Sequence, residues 1–382
     1  MSKVAIVKCA DYDPDSVYAS VSKSLELLGG LDKYIKPGMR VLLKCNLLMK
    51  KRPEEAATTH PEVAAALARA VREAGAHPII ADSPGGLYTT SALKGVYKAC
   101  GMEEVSNRDG IELNYNVETL EVNHPEGRLV KHLTVIRLLE EVDAVISVCK
   151  LKTHSLALFT GAVKNLFGVI PGTAKAEYHL RMKRIEDFSD MLVDISTYVK
   201  PVLSVMDAVV GMEGEGPSAG TPRKIGAILA SPSPYALDVV AASMVGIDTG
   251  RVWTIQKAKE RGLCSDKLAD VVLLGDSFDD LYIKDFRIPR HKEKNPIERY
   301  VSGNSRIARL VRSRFGPRPV FIHHACIGCR DCQRNCPPRA IEMVDNKPYV
   351  DLDKCIRCYC CQELCPKKAI VIKQNWLFRV FR

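Results

Sequence analysis

The feature that most restricts this chain is a duplicated cysteine pattern near its C-terminus. From Cys326 the sequence reads CIGCRDCQRNCP and from Cys355 it reads CIRCYCCQELCP, each a C-x2-C-x2-C-x3-C-P run. Every cysteine recurs at one offset, 326 with 355, 329 with 358, 332 with 361 and 336 with 365, and Ala340-Ile341 recurs as Ala369-Ile370. This is an internal duplication that must wrap its backbone around two compact groups of thiols. Nine of the 14 cysteines fall after residue 325. Thiols gathered in one module of a chain expected to be intracellular point to metal or redox chemistry and away from disulfides.

Three closely spaced thiolates can wrap one face of an iron–sulfur cubane, with a fourth ligand from elsewhere. Structural zinc also uses C-x2-C pairs. It requires neither the third and fourth cysteines of each run, nor the proline, nor the repetition. Residues 320–373 resemble the bacterial-type two-cluster ferredoxins. That resemblance implies two [4Fe-4S] clusters, with the fourth cysteine of each run serving the other cluster. Cys326, Cys329, Cys332 and Cys365 would hold one, and Cys355, Cys358, Cys361 and Cys336 the second. It also implies a pseudo-twofold α+β module whose centres exchange electrons rapidly. Gly328 lets the backbone pass close to the inorganic core, Pro337 and Pro366 end the loops, and Cys360 lies outside the pattern as an expected bystander.

The remaining length supports a large domain, since the 382 residues are 46% hydrophobic. No apolar run reaches the ~18 residues of a membrane span, and the N-terminus has no secretory signature, so a soluble, cytoplasmic protein is expected. Residues 1–280 alternate short apolar runs with amphipathic ones. Strands are expected at 4–9, 40–47, 77–83, 144–149, 202–207, 224–230 and 271–275, and helices at 60–76, 184–199 and 234–246. The pattern predicts an α/β domain, a mainly parallel sheet with helices on both faces, followed by a basic linker (281–319), the cluster module (320–373) and an aromatic and basic tail (374–382). The net charge of +10 is concentrated in the linker, where Lys284–Arg318 holds eleven basic residues against three acids. Without interleaved aromatics this segment, with a short helix expected around Ile307–Val311, suits a partner-facing linker better than an anionic membrane surface. Nucleic acid fits it least.

Ligands of parallel α/β sheets collect beyond the carboxyl ends of the strands, and these ends are polar. The second strand delivers Lys44, Cys45 and Asn46; the third Asp82 and Ser83, followed by Pro84-Gly85-Gly86; the fourth Lys150, Lys152, Thr153 and His154; the fifth Asp207. The ordered segments LLKCNLL, TTHPEV, ADSPGG, CKLKTH, TGAVKNLFG, MDAVVGMEGEGPSAGTP and SPSPYALD resemble the family called domain of unknown function 362, often fused to a two-cluster ferredoxin, over about 38–245. The family usually has Pro where Cys45 stands. The resemblance implies an architecture and little mechanism.

Chemistry therefore rests on the residues. Lys44, Lys150, Lys152 and Lys164 are expected around one crevice, holding a carboxylate or phosphate with help from Asn165 and the Gly85-Gly86 amides. A buried cluster of lysines is costly without an anion. His154 and His60 are the proton-transfer candidates, His60 having helix capping as an equal alternative. Cys9, Cys45 and Cys149 would form a further redox or metal group if their strands converge, although buried cysteines are usually apolar filler. The Gly-rich loop 211–222 carries no Walker or Rossmann signature and reads as a lid or a plain loop. The leading expectation is an iron–sulfur oxidoreductase acting on an anionic substrate or cofactor. An electron carrier or maturation factor docking a redox partner is one alternative, and a non-redox lysine/histidine isomerase with structural clusters is another.

Overall fold

The computed structural model describes residues 1–172, 174–290 and 316–373. The helix expected around Ile307–Val311, most of the basic linker, and the tail with Trp376, Phe378 and Phe381 lie outside the described residues.

The large domain runs β1 (Lys3–Lys8), α1 (Pro14–Leu27), β2 (Arg40–Cys45), α2 (Pro61–Glu73), β3 (His77–Ala81), α3 (Thr90–Ala99), α4 (Met102–Asp109), β4 (Glu112–Leu113), a side hairpin of β5 (Thr119–Asn123) and β6 (His132–Ile136), then β7 (Ala144–His154), β8 (Leu158–Thr160), α5 (Ala162–Asn165), α6 (Ala174–Arg181), α7 (Ile185–Val199), β9 (Leu203–Glu213), β10 (Thr221–Ser231), α8 (Pro234–Met244), α9 (Trp253–Glu260) and β11 (Val272–Gly275). Nine strands make one sheet in the order β11-β1-β10-β9-β7-β2-β3-β4, with β8 on β7. The run from β9 to β4 is parallel, as is β1 with β11, while β10 is antiparallel to both neighbours and β8 to β7. The sheet is therefore mainly parallel and mixed.

Alternation along the strands builds two cores. Val41, Leu43, Ile146, Val148 and Val205 face α1 to α4, while Leu42, Val145 and Ile79 face α7, and Met206 and Leu229 face α8. Prolines and capping side chains start the helices: Asp13 accepts from the Ser16 amide ahead of Pro14, and Ser233 accepts from the Ala236 amide ahead of Pro234. Strand β7 does not end at Cys149. All eleven of its residues are buried, through Lys150, Lys152 and His154, because the lysine heads find acceptors inside the protein and His154 Nδ1 accepts from two backbone amides.

The cluster module consists of β12 (Arg318–Phe321), α10 (Asp331–Arg334), β13 (Ile341–Val344), β14 (Lys347–Val350), α11 (Cys360–Glu363) and β15 (Ile370–Lys373), with β12 antiparallel to β15 and β13 to β14. The sequence duplication is also a backbone duplication. Left-handed residues recur at matching places, Arg330 with Tyr359 ahead of each short helix and Arg339 with Lys368 after it. Gly328 is likewise left-handed, with φ of 71°, and a side chain there would press on the Asn346 carbonyl at 3.1 Å.

The module seats against the large domain through the β9–β10 hairpin. Ser218 Oγ donates to the Glu363 carbonyl at 2.6 Å, Gln362 Nε2 to the Glu215 carbonyl at 3.1 Å and Lys368 Nζ to the Gly220 carbonyl at 3.4 Å. The Gly-rich segment expected as a lid or a plain loop is thus partly strand, and its tip is a docking ledge. Its glycines permit the close passage: a Cβ on Gly216 would lie 2.2 Å from the Thr153 carbonyl.

Candidate functional site between the sheet and the cluster module

The strand order β3-β2-β7-β9 makes the polar strand ends neighbours, but alternation sends them to opposite faces. Lys150 and Asp207 are partners across β7 and β9 on the α1–α2 side. Lys150 Nζ lies 2.7 Å from Asp207 Oδ2 and donates to Tyr12 Oη at 2.8 Å; the Tyr12 hydroxyl in turn donates to Asp207 Oδ1 at 2.8 Å. His60 joins this group, its amide donating to Asp207 Oδ2 at 2.9 Å and its ring stacked on Tyr12 at 3.5 Å. His60 Nδ1 accepts from the Glu62 amide at 3.3 Å as the cap of α2, and burial lowers its pKa to about 4. The structure therefore places Lys150, Asp207 and His60 together in a closed polar network away from the crevice.

On the other face Lys44, fully buried, lies 2.7 Å from Asp82 Oδ1. Asp82 Oδ2 accepts from the Leu47 amide at 2.8 Å, and Asn165 Nδ2 donates to the Lys44 carbonyl at 2.8 Å and to Ser147 Oγ at 3.0 Å. Gly168 lies on this pair so tightly that a Cβ there would be 2.0 Å from Asp82 Oδ1 and 2.4 Å from Lys44 Nζ. These groups form the floor of an open pocket of about 690 Å³. Asn46, Asp82, Ser83, Lys164 and Asn165 line it, as do Phe167, Lys175 and His179, which sequence reasoning missed. The fourth wall comes from the cluster module: Asn335, Cys360, Glu363 and Leu364.

Two lysines give the pocket its chemistry. The Lys164 side chain, only partly buried, has no hydrogen-bond or ion-pair partner among the described residues, and burial, opposed by the field of Glu363, lowers its pKa. Lys175 donates to the Ser83 carbonyl and lies 3.4 Å from Ser83 Oγ; burial lowers it to about 7. His179, stacked on Phe188 at 4.4 Å, is held neutral, with burial and then Lys164 lowering it to about 3. A cationic end and an aromatic wall suit an organic anion. The Gly85 amide expected to help is already donating to the Leu48 carbonyl at 2.8 Å.

Lys152 and His154 stand behind this pocket. Lys152, 1% exposed, donates to the pocket residue Asn46 at Oδ1 (2.7 Å) and to the Ala57 carbonyl (2.6 Å). Burial, and then the field of Lys164, lower its pKa to about 7. His154 Nδ1 accepts from the amides of Leu156 and Ala157 at 3.0 and 3.3 Å, which puts the neutral ring's proton on Nε2. That nitrogen lies 3.7 Å from Glu363 Oε2, so His154 reaches the pocket through a residue of the other module.

Two further hollows lie within the module. One is lined by Cys326, Cys329, Cys332 and Cys365; the other by Cys336, Cys355, Cys358 and Cys361. Four thiols around one hollow fit the donor set of a [4Fe-4S] cluster. Cys9, Cys45 and Cys149 do not converge. Cys45 and Cys9 pack in the α1–α4 core and Cys149 in the α8 core across the sheet, because residues 45 and 149 fall on opposite sides of the pleat. Cys360, set aside from the motif, lines the pocket instead.

The family model described as domain of unknown function (DUF362) matches residues 41–243, and a 4Fe-4S dicluster domain matches residues 325–369. The thylakoid-associated protein sll1697 of Synechocystis sp. is 35% identical over 269 residues, 69% of this chain and 80% of that protein. The solved lactate racemase apoprotein of Thermoanaerobacterium thermosaccharolyticum is similar at 14% identity and a TM-score of 0.38, across 61% of this chain and 55% of that one. Among the described residues no helix is long and apolar enough to cross a membrane.

Proposed function

This chain belongs to the family described as domain of unknown function (DUF362), a membership that carries a scaffold and no reaction, and from that premise we propose an iron–sulfur oxidoreductase acting on an organic anion. The observation that carries the proposal is the shared pocket, whose cationic wall (Lys164, Lys175) belongs to the sheet domain and whose opposite wall (Cys360, Glu363) lies among the cluster cysteines. Two [4Fe-4S] clusters, held by Cys326, Cys329, Cys332 and Cys365 and by Cys336, Cys355, Cys358 and Cys361, would supply single electrons there.

The chain's own residues then have defined parts. Lys164 and Lys175 hold the anionic end of the ligand, the Lys44–Asp82 pair and Asn165 keep the floor rigid, and Phe167 covers the organic body and excludes water. Lys152, poised near neutrality and bonded to Asn46, is the proton-handling group behind the wall. His154 positions Glu363 over the pocket mouth. An electron carrier that merely docks a partner would have no use for a lysine-lined pocket beside its cysteines. A cytoplasmic location belongs to the same proposal.

The test is anaerobic purification with iron and sulfide analysis, followed by mass spectrometry of the small molecules that stay bound. Eight irons per chain and a co-purifying organic anion that disappears in Lys164→Gln are expected. Full cluster content together with no anion binding under any reducing condition would overturn the reading.

A further inference from the structure

The two cysteine hollows differ in their surroundings. The hollow of Cys336, Cys355, Cys358 and Cys361 is otherwise lined by Pro319, Pro337, Pro338, Ile341, Val350, Ile356 and Tyr359, with no charged side chain among the described residues. Tyr359, almost fully buried, closes it with its hydroxyl donating to the Pro317 carbonyl at 3.2 Å. Sequence neighbours of three of its four cysteines line the large pocket: Asn335 beside Cys336, and Cys360 between Cys358 and Cys361. The first set has one such neighbour, Leu364 beside Cys365, so the second set has more of its chain at the pocket.

The hollow of Cys326, Cys329, Cys332 and Cys365 has a charged mouth, lined by Arg330, Asp331 and Lys367. Asp331 is already engaged with Arg334 at 2.7 Å, so Arg330 and Lys367, both exposed, leave an excess of positive charge. Ile327, between two of the cysteines, is 60% exposed. An exposed aliphatic side chain at a redox site, ringed by cations, is the pattern of a transient protein contact: a small apolar centre, and charges that steer the encounter.

We propose that this mouth, formed by Ile327, Arg330 and Lys367, is the docking surface for a small one-electron carrier protein with an acidic rim around its own redox centre. The proposal rests on the reading that both cysteine sets carry clusters. One electron leaves the carrier, which is oxidised by one, and the first-set cluster is reduced by one, with no bond made or broken. The second set, with more of its chain at the pocket wall, would pass the electron on toward it.

The experiment uses the full-length, cluster-loaded protein and a reduced bacterial flavodoxin as the acidic carrier. Iron and sulfide are quantified first, so that a protein without eight irons fails the cluster reading and is recognised before any docking is measured. Cluster bleaching by the flavodoxin is followed by stopped flow, and binding of oxidised flavodoxin by calorimetry. Arg330→Glu with Lys367→Glu is expected to lower the second-order rate constant at low salt by at least tenfold and to weaken binding in parallel. The variant's photoreduction by a small uncharged deazaflavin should be unchanged. Because Arg330 adjoins a cluster cysteine, Lys367→Glu alone is the second variant, with a several-fold loss expected. Wild-type rate and affinity in variants with full iron content would overturn the proposal, as would loss of binding to anionic phospholipid vesicles in place of loss of binding to flavodoxin.

Discussion

Lys150 on β7 and Lys164 on α5 are the same residue type, and among the described residues the structure partners only the first. Lys150 is locked between Asp207 and Tyr12 with no exposure, so Lys150→Met leaves a buried carboxylate uncompensated and should cost about 3–5 kcal/mol in urea unfolding. Lys164→Gln, with no partner to lose among the described residues, should change stability by less than about 0.5 kcal/mol while abolishing anion retention. Equal destabilisation by the two substitutions would contradict the assignment of Lys164 to ligand. Lys152 gives a pH signature. Its folded pKa of about 7 lies below its ordinary value of 10.5, so between those values the unfolded chain binds more protons and stability rises with pH. Wild type should gain on the order of 2 kcal/mol relative to Lys152→Met between pH 7 and pH 9. A wild-type stability that does not rise relative to the variant over that interval would show Lys152 charged throughout.

The elements carry the placement. The residues after strands β2 and β3 form one side of the pocket, but its other lysine, Lys175, comes from α6, which no strand-end argument reaches. The signal that could have found it is the spacing of Lys164 and Lys175 around the Gly-rich step Gly168 to Gly172, a loop that must lie flat on something. Gly168→Ala tests that step. Its methyl would collide with the Lys44–Asp82 pair, so a loss of about 1–3 kcal/mol is expected, with weaker anion binding at the same time. The β9–β10 hairpin is the matching case for docking. Ser218→Ala removes the bond to Glu363 and should loosen the module, read as faster hydrogen exchange in the helix Cys360–Glu363 with unchanged iron content.

At the scale of the whole molecule the two parts are stabilised differently. The sheet domain has extensive apolar layers on both faces, whereas among the described residues the module's buried apolar cluster is Cys332, Ile341, Cys361 and Ile370. Anaerobic iron chelation should therefore unfold the module alone, giving one calorimetric transition lost and one kept. A single cooperative transition in both states would show that the domains fold as one.

The duplicated cysteine runs, the mainly parallel α/β class and the polarity of the strand ends were all legible in the chain itself, because ligand spacing, apolar periodicity and local caps are short-range properties. Which lysine meets which acid was not. Lys44 and Lys150 sit at comparable strand positions, yet the pleat turns them to opposite faces, one beneath a pocket and one into a closed network. Cys360 and Glu363 became pocket residues only because the hairpin ledge holds the cluster module against the crevice. That contact joins residues more than a hundred positions apart, and sequence periodicity carries no information over that distance.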